Sequence, residues 1–405
     1  MSAEQRLLSG QAWDDFCEQV RQVGHMVDQF GDDADSLDKV EWYRFVTRLM
    51  RNGFERYVEN CEPERPRLRD APWRQGINFQ SPDQDHLLTE FPDGTHDYRI
   101  TGNRGTLPYF VMAAWTARQP ADAGARDWAH RGTQGLEEFD PAMLRTTSFL
   151  QSDAIRFDAK GNFEVIVSQE KPADGKDWLP ITADCVGLLV RTVYHERDKT
   201  VPPTMTIERI DRPAPRPADA DLIAGGLAKA GQMTLAYAEL VRSWWQDNLG
   251  KRPNRIRFSR AVYLSNGGVP DRHHGFGTWQ CGPDEALVLS FMPVACDYWI
   301  FQLCNIWQEN LDNYEDGQGY IQKYTARYEP DGSIRIVIAA QDPGIGGNHI
   351  DPFGHAHGGM SLRFIKTAGD PPPVTLHRVP LAALREKGLA ALEDIEPIVS
   401  GEITD

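Results

Sequence analysis

GNFEVIVSQEKPADGKDWLPITADCVG, residues 161–187, recurs in outline as GSIRIVIAAQDPGIGGNHIDPFGHAHG, residues 332–358. The two stretches align without a gap at an offset of 171 (161 to 332), so that Gly161, Pro172, Gly175 and Gly187 meet Gly332, Pro343, Gly346 and Gly358. Val165, Ile166 and Val167 fall opposite Ile336, Val337 and Ile338. Turn residues and strand residues agree together, which is the mark of a duplicated β unit. Around the first copy lie HDYRITG, LPYFVMAAWT and CVGLLVRTVY, short runs rich in β-branched and aromatic residues and separated by Asp-Gly, Asn-Arg-Gly and Lys-Gly-Asn turns. Strands of this length and spacing predict antiparallel sandwiches rather than a parallel α/β sheet. No GxGxxG or phosphate-loop pattern follows a strand, which disfavours a dinucleotide or P-loop domain.

The expected fold is mainly β with accessory helices: two tandem jelly-roll-like antiparallel β-sandwich domains. A helical segment occupies residues 1–70, and the stripe Val40, Tyr43, Val46, Met50, Phe54 and Tyr57 marks its buried face, with Asp35 or Ser36 as cap. The first sandwich covers 71–212. A proline-rich linker and a long helix, Leu222 to Leu249, fill 213–252, where Trp244 and Trp245 read as packing residues. The second sandwich covers 253–380, and a helix and tail cover 381–405.

Composition narrows the function. Acidic residues outnumber basic ones 59 to 43, a net charge of -16 that repels phosphate backbones and anionic membranes, so neither nucleic acid nor membrane is an expected partner. The first residues lack a basic segment followed by an apolar one, and the six cysteines show no CxxC spacing. Both features predict a cytoplasmic protein with reduced thiols. A small-molecule substrate is the expected partner, with a homo-oligomer left open.

The densest cluster of site-forming residue types is Gln341 to Arg363, QDPGIGGNHIDPFGHAHGGMSLR, with His349, Asp351, His355 and His357 among glycine-rich turns. Asn348, His349, Ile350, Asp351 and His355 lie opposite Asp177, Trp178, Leu179, Pro180 and Asp184 of the first copy, so the cluster is specialised in the second copy and function is expected there.

The sequence resembles the bacterial proteins that carry the domain of unknown function 1214, often accompanied by its 1254 relative. The likeness runs through DAKGNFEVIVSQEKPADGKDWLPITADCVGLLVRTVY in the first half. In the second half it runs through EALVLSFMPVACDYWIFQLCNIWQENLD, DGSIRIVIAAQDPG and GNHIDPFGHAHGGMSLRF. Asn348, Asp351, Gly354, His355, Gly358 and Arg363 match the relatives' pattern, whereas His349 stands where they carry Trp, Pro352 where they carry Thr, and His357 lies outside it. The resemblance implies tandem jelly-roll-like β domains and no established reaction.

Three chemistries fit these residues. In the first, His355 and Asp351 form a proton-transfer pair, because an imidazole titrates near neutrality and a carboxylate orients it. Arg363 would hold an anionic oxygen. Tyr298, Trp299, Trp307 and Tyr314 would wall the pocket, with Asn348 and His349 as further substrate contacts. This describes a lyase, hydrolase or isomerase of small-molecule catabolism or secondary metabolism, acting without a cofactor on a cyclic or aromatic hydrophobic substrate. In the second, His355 and His357 chelate a divalent metal from one face of a strand, although the glutamate of a cupin motif is missing. In the third, the aromatics bind a carbohydrate or hydrophobic ligand without chemistry. His273 and His274 are a further histidine pair, expected on a loop. No GxSxG or HExxH motif is present.

Overall fold

The computed structural model describes residues 1–59, 62–70, 79–117, 144–217, 219–251, 253–265, 268–311, 316–367 and 369–400. Nineteen strands among them form four sheets, paired face to face as two sandwiches. The inner sheet of the first sandwich runs β1 (Arg69–Asp70), β2 (His86–Glu90), β8 (Cys185–Val193), β4 (Tyr109–Ala117), β5 (Leu144–Gln151). Its outer sheet runs β7 (Asp177–Pro180), β6 (Asn162–Ser168), β3 (Tyr98–Asn103), β9 (Thr204–Arg209). In the second sandwich the inner order is β10 (Arg255–Phe258), β11 (Arg272–Gln280), β17 (His357–Ile365), β13 (Tyr298–Leu303), β14 (Tyr320–Gln322). The outer order is β16 (Asn348–Ile350), β15 (Ile334–Ile338), β12 (Glu285–Phe291), β18 (Val374–Pro380), β19 (Ile398–Ser400).

Alternation along these strands sends one set of side chains into each sandwich. Tyr98, Ile100, Phe110, Met112, Val165, Val167, Leu188 and Val190 fill the first core. Leu287, Leu289, Trp299, Phe301, Ile336, Ile338, Leu362 and Phe364 fill the second. Both inner sheets are antiparallel, while each outer sheet contains one parallel pair. That pair carries the duplication: Val165 faces Asp177 in β6–β7, and Ile336 faces Asn348 in β15–β16, each 171 residues further on.

The helices form a third layer. α1 (Ala3–Leu8), α2 (Gln11–His25) and α3 (Ser36–Phe54) pack with the long α4 (Ala220–Lys251). Asp35 caps α3 by accepting from Asp38 N, and Asp38 returns the bond to Asp35 N. The buried face of α3 is Trp42, Phe45, Val46 and Leu49 together with Asp38 and Glu41, while Val40 and Tyr43 are 71% and 55% exposed. The apolar stripe read from the sequence is therefore out of phase at its N-terminal end. Two acids occupy the inward positions, because partners on the second sandwich satisfy them. Trp42, Phe45 and Phe30 close around Trp307, with Trp42 and Trp307 ring centroids 4.8 Å apart. Trp244 and Trp245 are buried in the same cluster, as packing residues. No helix among the described residues is long and apolar enough to cross a membrane.

Candidate functional site between the sandwiches

The residues singled out from the sequence are distributed over four environments. Asp351 Oδ1 accepts from Phe353 N at 2.8 Å and braces the turn after β16. Asn348 donates to the carbonyls of Arg327 and Arg335 and accepts from Arg327 N, and His349 Nε2 bonds Ala339 O at 2.8 Å, so both tie strands together. Trp299 belongs to the second core, and Trp307 to the helical cluster, where its indole donates to Asp38 O. Tyr298 lies between the sandwiches. Tyr314 lies outside the described residues.

His355 and His357 do come together, against the helical layer. His357 Nε2 is 2.6 Å from Asp38 Oδ2, and His355 sits with Nδ1 3.9 Å from Asp38 Oδ1 and Nε2 3.6 Å from Glu41 Oε2. Burial pushes the Asp38 carboxyl up, but the two imidazoles outweigh it and hold the value at about 2. Burial likewise works against a charged His357, yet Asp38 raises its pKa. Asp35, Asp38 and His357 each place a ligand atom within 4.8 Å of the others, a group that does not include His355. A cation there would compete with the His357 bond and the helix cap, both of which use Asp38 Oδ2.

Arg363 leads to the second place where ionisable groups converge. The inner sheets meet through Tyr109, Val111, Val193, Tyr298, Ile300 and Ile365. Strand alternation puts Arg191 on the same face of β8 as Val193, and Arg363 on the same face of β17 as Ile365. In register, Arg191 stands between His86 on β2 and Val111 on β4, and Arg363 stands between His274 on β11 and Ile300 on β13. Tyr109 and Tyr298 pair with Val193 and Ile365 in the same way. Each repeat thus contributes an equivalent Arg, His and Tyr, and the repeats meet through equivalent faces, as subunits do in an isologous dimer. The arginines match at 172 residues (191 to 363), one beyond the offset of the outer strands, and the histidines and tyrosines at 188 (86 to 274) and 189 (109 to 298).

The resulting chamber is cationic. Arg363 donates through Nε to His274 Nε2 and through Nη2 to the carbonyl of Phe79, whose ring approaches Gly359 so closely that a Cβ there would lie 2.5 Å away. Arg272 donates to Tyr109 Oη at 2.7 Å and lies 3.4 Å from Asp271. Arg191 is half-buried, and its guanidinium makes no hydrogen bond or ion pair with any described residue. Tyr263, on the short helix α5 (Arg260–Ser265), interacts electrostatically with all three guanidiniums. Burial brings both Arg191 and Arg363 down to about 10, with neighbouring arginines adding to the effect. Burial and the same arginines push His86 and His274 well below the ordinary imidazole value, so both are neutral at pH 7. Asp83 accepts from Ser81, and burial raises its carboxyl to about 6 despite Arg197 and Arg363. Two of these groups, His273 and His274, were expected on a loop and instead lie on β11. Alternation sends His274 into the chamber, while His273 Nε2 bonds Gly369 O.

A cleft of about 370 Å³ opens at the edge of this interface, lined by Tyr109, Val193, Tyr298 and Ile365 and by His195 and Tyr324, whose rings stack at 3.9 Å. The sequence pointed to Arg363 and Tyr298, and to His274 as one of a histidine pair, but not to Arg191, His86, Arg272 or Asp38. A charged residue inside the apolar run LLVRTVY is the signal that would have pointed to Arg191.

Two tandem sandwiches that meet through a seam of arginines and histidines define the class. The match to the protein-of-unknown-function model DUF1214 spans residues 83–196, which includes β2, β8, His86 and Arg191. A crystallised uncharacterized protein from Burkholderia cenocepacia is 30% identical, with 95% of this chain and 100% of that one covered at a TM-score of 0.82. The chain belongs to the family of proteins with the domain of unknown function 1214. The VPA0106 protein from Vibrio parahaemolyticus is 11% identical over 89% of this chain and 98% of that one, with a TM-score of 0.44. No curated protein matches the chain.

Proposed function

We propose that this protein binds a small organic anion between its two sandwiches and acts on it by proton transfer. One observation carries the reading: Arg191 brings a guanidinium without a described partner into the interdomain face, beside Arg272 and Arg363. An arginine stays protonated at neutral pH, so its charge calls for an anion rather than for deprotonation. A carboxylate suits the planar fork of two N–H donors. His86 and His274 are neutral beside these cations, and His274 Nε2 becomes a proton acceptor once the bound anion draws the Arg363 Nε–H away from it, while Asp83 supplies a carboxyl that exchanges its proton near pH 6. Acid–base chemistry of the lyase, hydrolase or isomerase kind is therefore assigned to the chamber, and His355 to the clamp on the helical layer. A binding-only role is the second reading, favoured by the stacked aromatics of the cleft. Free thiols at Cys185, Cys281 and Cys304 support a reducing compartment such as the cytoplasm.

The test is a thermal-shift titration with acetate and with inorganic phosphate at constant ionic strength, chloride serving as the control. Wild type should be stabilised by the added anion in a saturable way and Arg191→Met should not respond. An equal response from both proteins overturns the assignment. His274→Gln separates the two readings once a substrate is in hand, since it should keep binding and lose turnover only if proton transfer is the function.

A further inference from the structure

We infer that the anion is a monocarboxylate on a planar, ring-sized apolar body, and that the cleft beside Tyr109 and Tyr298 receives that body. The inference rests on the anion-binding reading above and adds the ligand's class and its route.

The cleft and the arginines share strands. Val193 and Ile365 line the cleft, and the next residues inward on the same faces are Arg191 on β8 and Arg363 on β17. Two strand residues span about 7 Å, so the cleft floor stands about one ring's length above the guanidiniums. A body held in the cleft therefore has its acidic end at the arginine layer.

The cleft itself makes little demand for charge. Lys366 is paired with Asp153 at 2.6 Å and lies 3.6 Å from Asp297. Lys323 Nζ is bonded to the carbonyls of Cys296 and Asp297, and Arg104 to those of Leu107 and Pro108. Beside these charged groups at the rim, the cleft offers an apolar floor and stacked rings: Tyr109, Tyr298, Val193 and Ile365, with His195 against Tyr324. Its 370 Å³ exceeds the roughly 150 Å³ that accommodates a benzene ring. Below, Arg272 has Asp271, Arg363 has His274, the Phe79 carbonyl and the nearby Asp83, and Arg191 alone lacks a described partner. Of the three guanidiniums only Arg191 has neither a hydrogen bond nor an ion pair with a described residue, and one such open donor set matches one carboxylate rather than a phosphate dianion.

Tyr109 lines the cleft and touches the arginine layer. Its hydroxyl accepts from Arg272 and donates to Gln151 Oε1 at 3.1 Å, while Gln151 Nε2 donates to Asp271 at 3.0 Å. A ligand that takes over the Arg272 bond frees the tyrosine to swing.

The experiment is calorimetric titration of the full-length protein with acetate, benzoate and phenyl phosphate. It uses wild type, Arg191→Met, Arg191→Lys and the cleft variant Tyr324→Ala, whose side chain is 47% exposed and tolerates truncation. Wild type should bind benzoate about tenfold or more tighter than acetate, from the ring area removed from water. Arg191→Met should lose both, Arg191→Lys should retain part of each, and Tyr324→Ala should narrow the benzoate preference while leaving acetate unchanged. Equal binding of acetate and benzoate, both lost in Arg191→Met, overturns the ring-body inference and leaves the anion reading standing. Phenyl phosphate bound more tightly than benzoate overturns the carboxylate class. No binding of any probe, or binding indifferent to both Arg191 variants, overturns the anion reading itself.

Discussion

Arg191→Met should make the ligand-free protein more stable while removing its anion response. Burial, with Arg272 adding to it, takes the Arg191 pKa from 12.5 down to about 10, which corresponds to roughly 3 kcal/mol of unfavourable environment for the charged form. For a base with a depressed folded value, that penalty is complete at any pH below about 10 and is relieved only as pH rises through it. At pH 7 it is therefore present in full. Methionine has a similar reach, leaves no charge to desolvate and keeps the contacts of the arginine stem with the interface. After allowing for imperfect packing, a net gain of about 1–3 kcal/mol is expected. Urea unfolding followed by tryptophan fluorescence reads the change as a higher midpoint with an unaltered slope. Had Arg191 been half of a buried ion pair, the same substitution would instead cost about 3–5 kcal/mol. A lowered midpoint of that size refutes the claim that its charge is uncompensated.

Other consequences concern the helical clamp. His357 has a raised folded pKa, so its contribution to stability is complete below about 6.5 and fades as pH rises through the folded value; Asp38 contributes above about 3.8 and loses its contribution as pH falls through about 2. Asp33, Asp35 and Asp38 face His357 and His355 shares Asp38, so the protection factors of the α3 amides, corrected for base-catalysed intrinsic exchange, should fall above neutrality in wild type but stay level in His357→Gln. His355→Ala should destabilise by about 1–3 kcal/mol, because it leaves Asp38 and Glu41 facing a void. It should not alter benzoate affinity, and a lost affinity in a folded variant would return His355 to the ligand site. Trp42→Ala removes the ring wedged between Phe30, Phe45 and Trp307 and should cost about 3–5 kcal/mol in the unfolding midpoint, with a smaller loss refuting its place at the centre of that cluster.

The sequence alone determined the duplicated β architecture. Its strands announce themselves by alternation, and its turns by glycine and proline at matched positions, and these are local signals that survive without knowledge of neighbours. The offset of 171 reappears as the register of β6–β7 and β15–β16. Only the tertiary structure decided the site. Burial periodicity tells which side chains leave water, not what they meet: Arg191 and Arg363 sit in strands buried on both faces, where core and interdomain positions look alike. Carried past its end at Gly187, the offset of 171 would set Arg191 opposite Leu362, a core residue, and a one-residue slip before the last strand is enough to exchange faces. The same limit hid Asp38 and Glu41. An acid on the inward side of a helix breaks an apolar stripe, and it is stable there because partners meet it: His355 and His357 of the second sandwich for Asp38, and Arg44, Asn305 and His355 for Glu41.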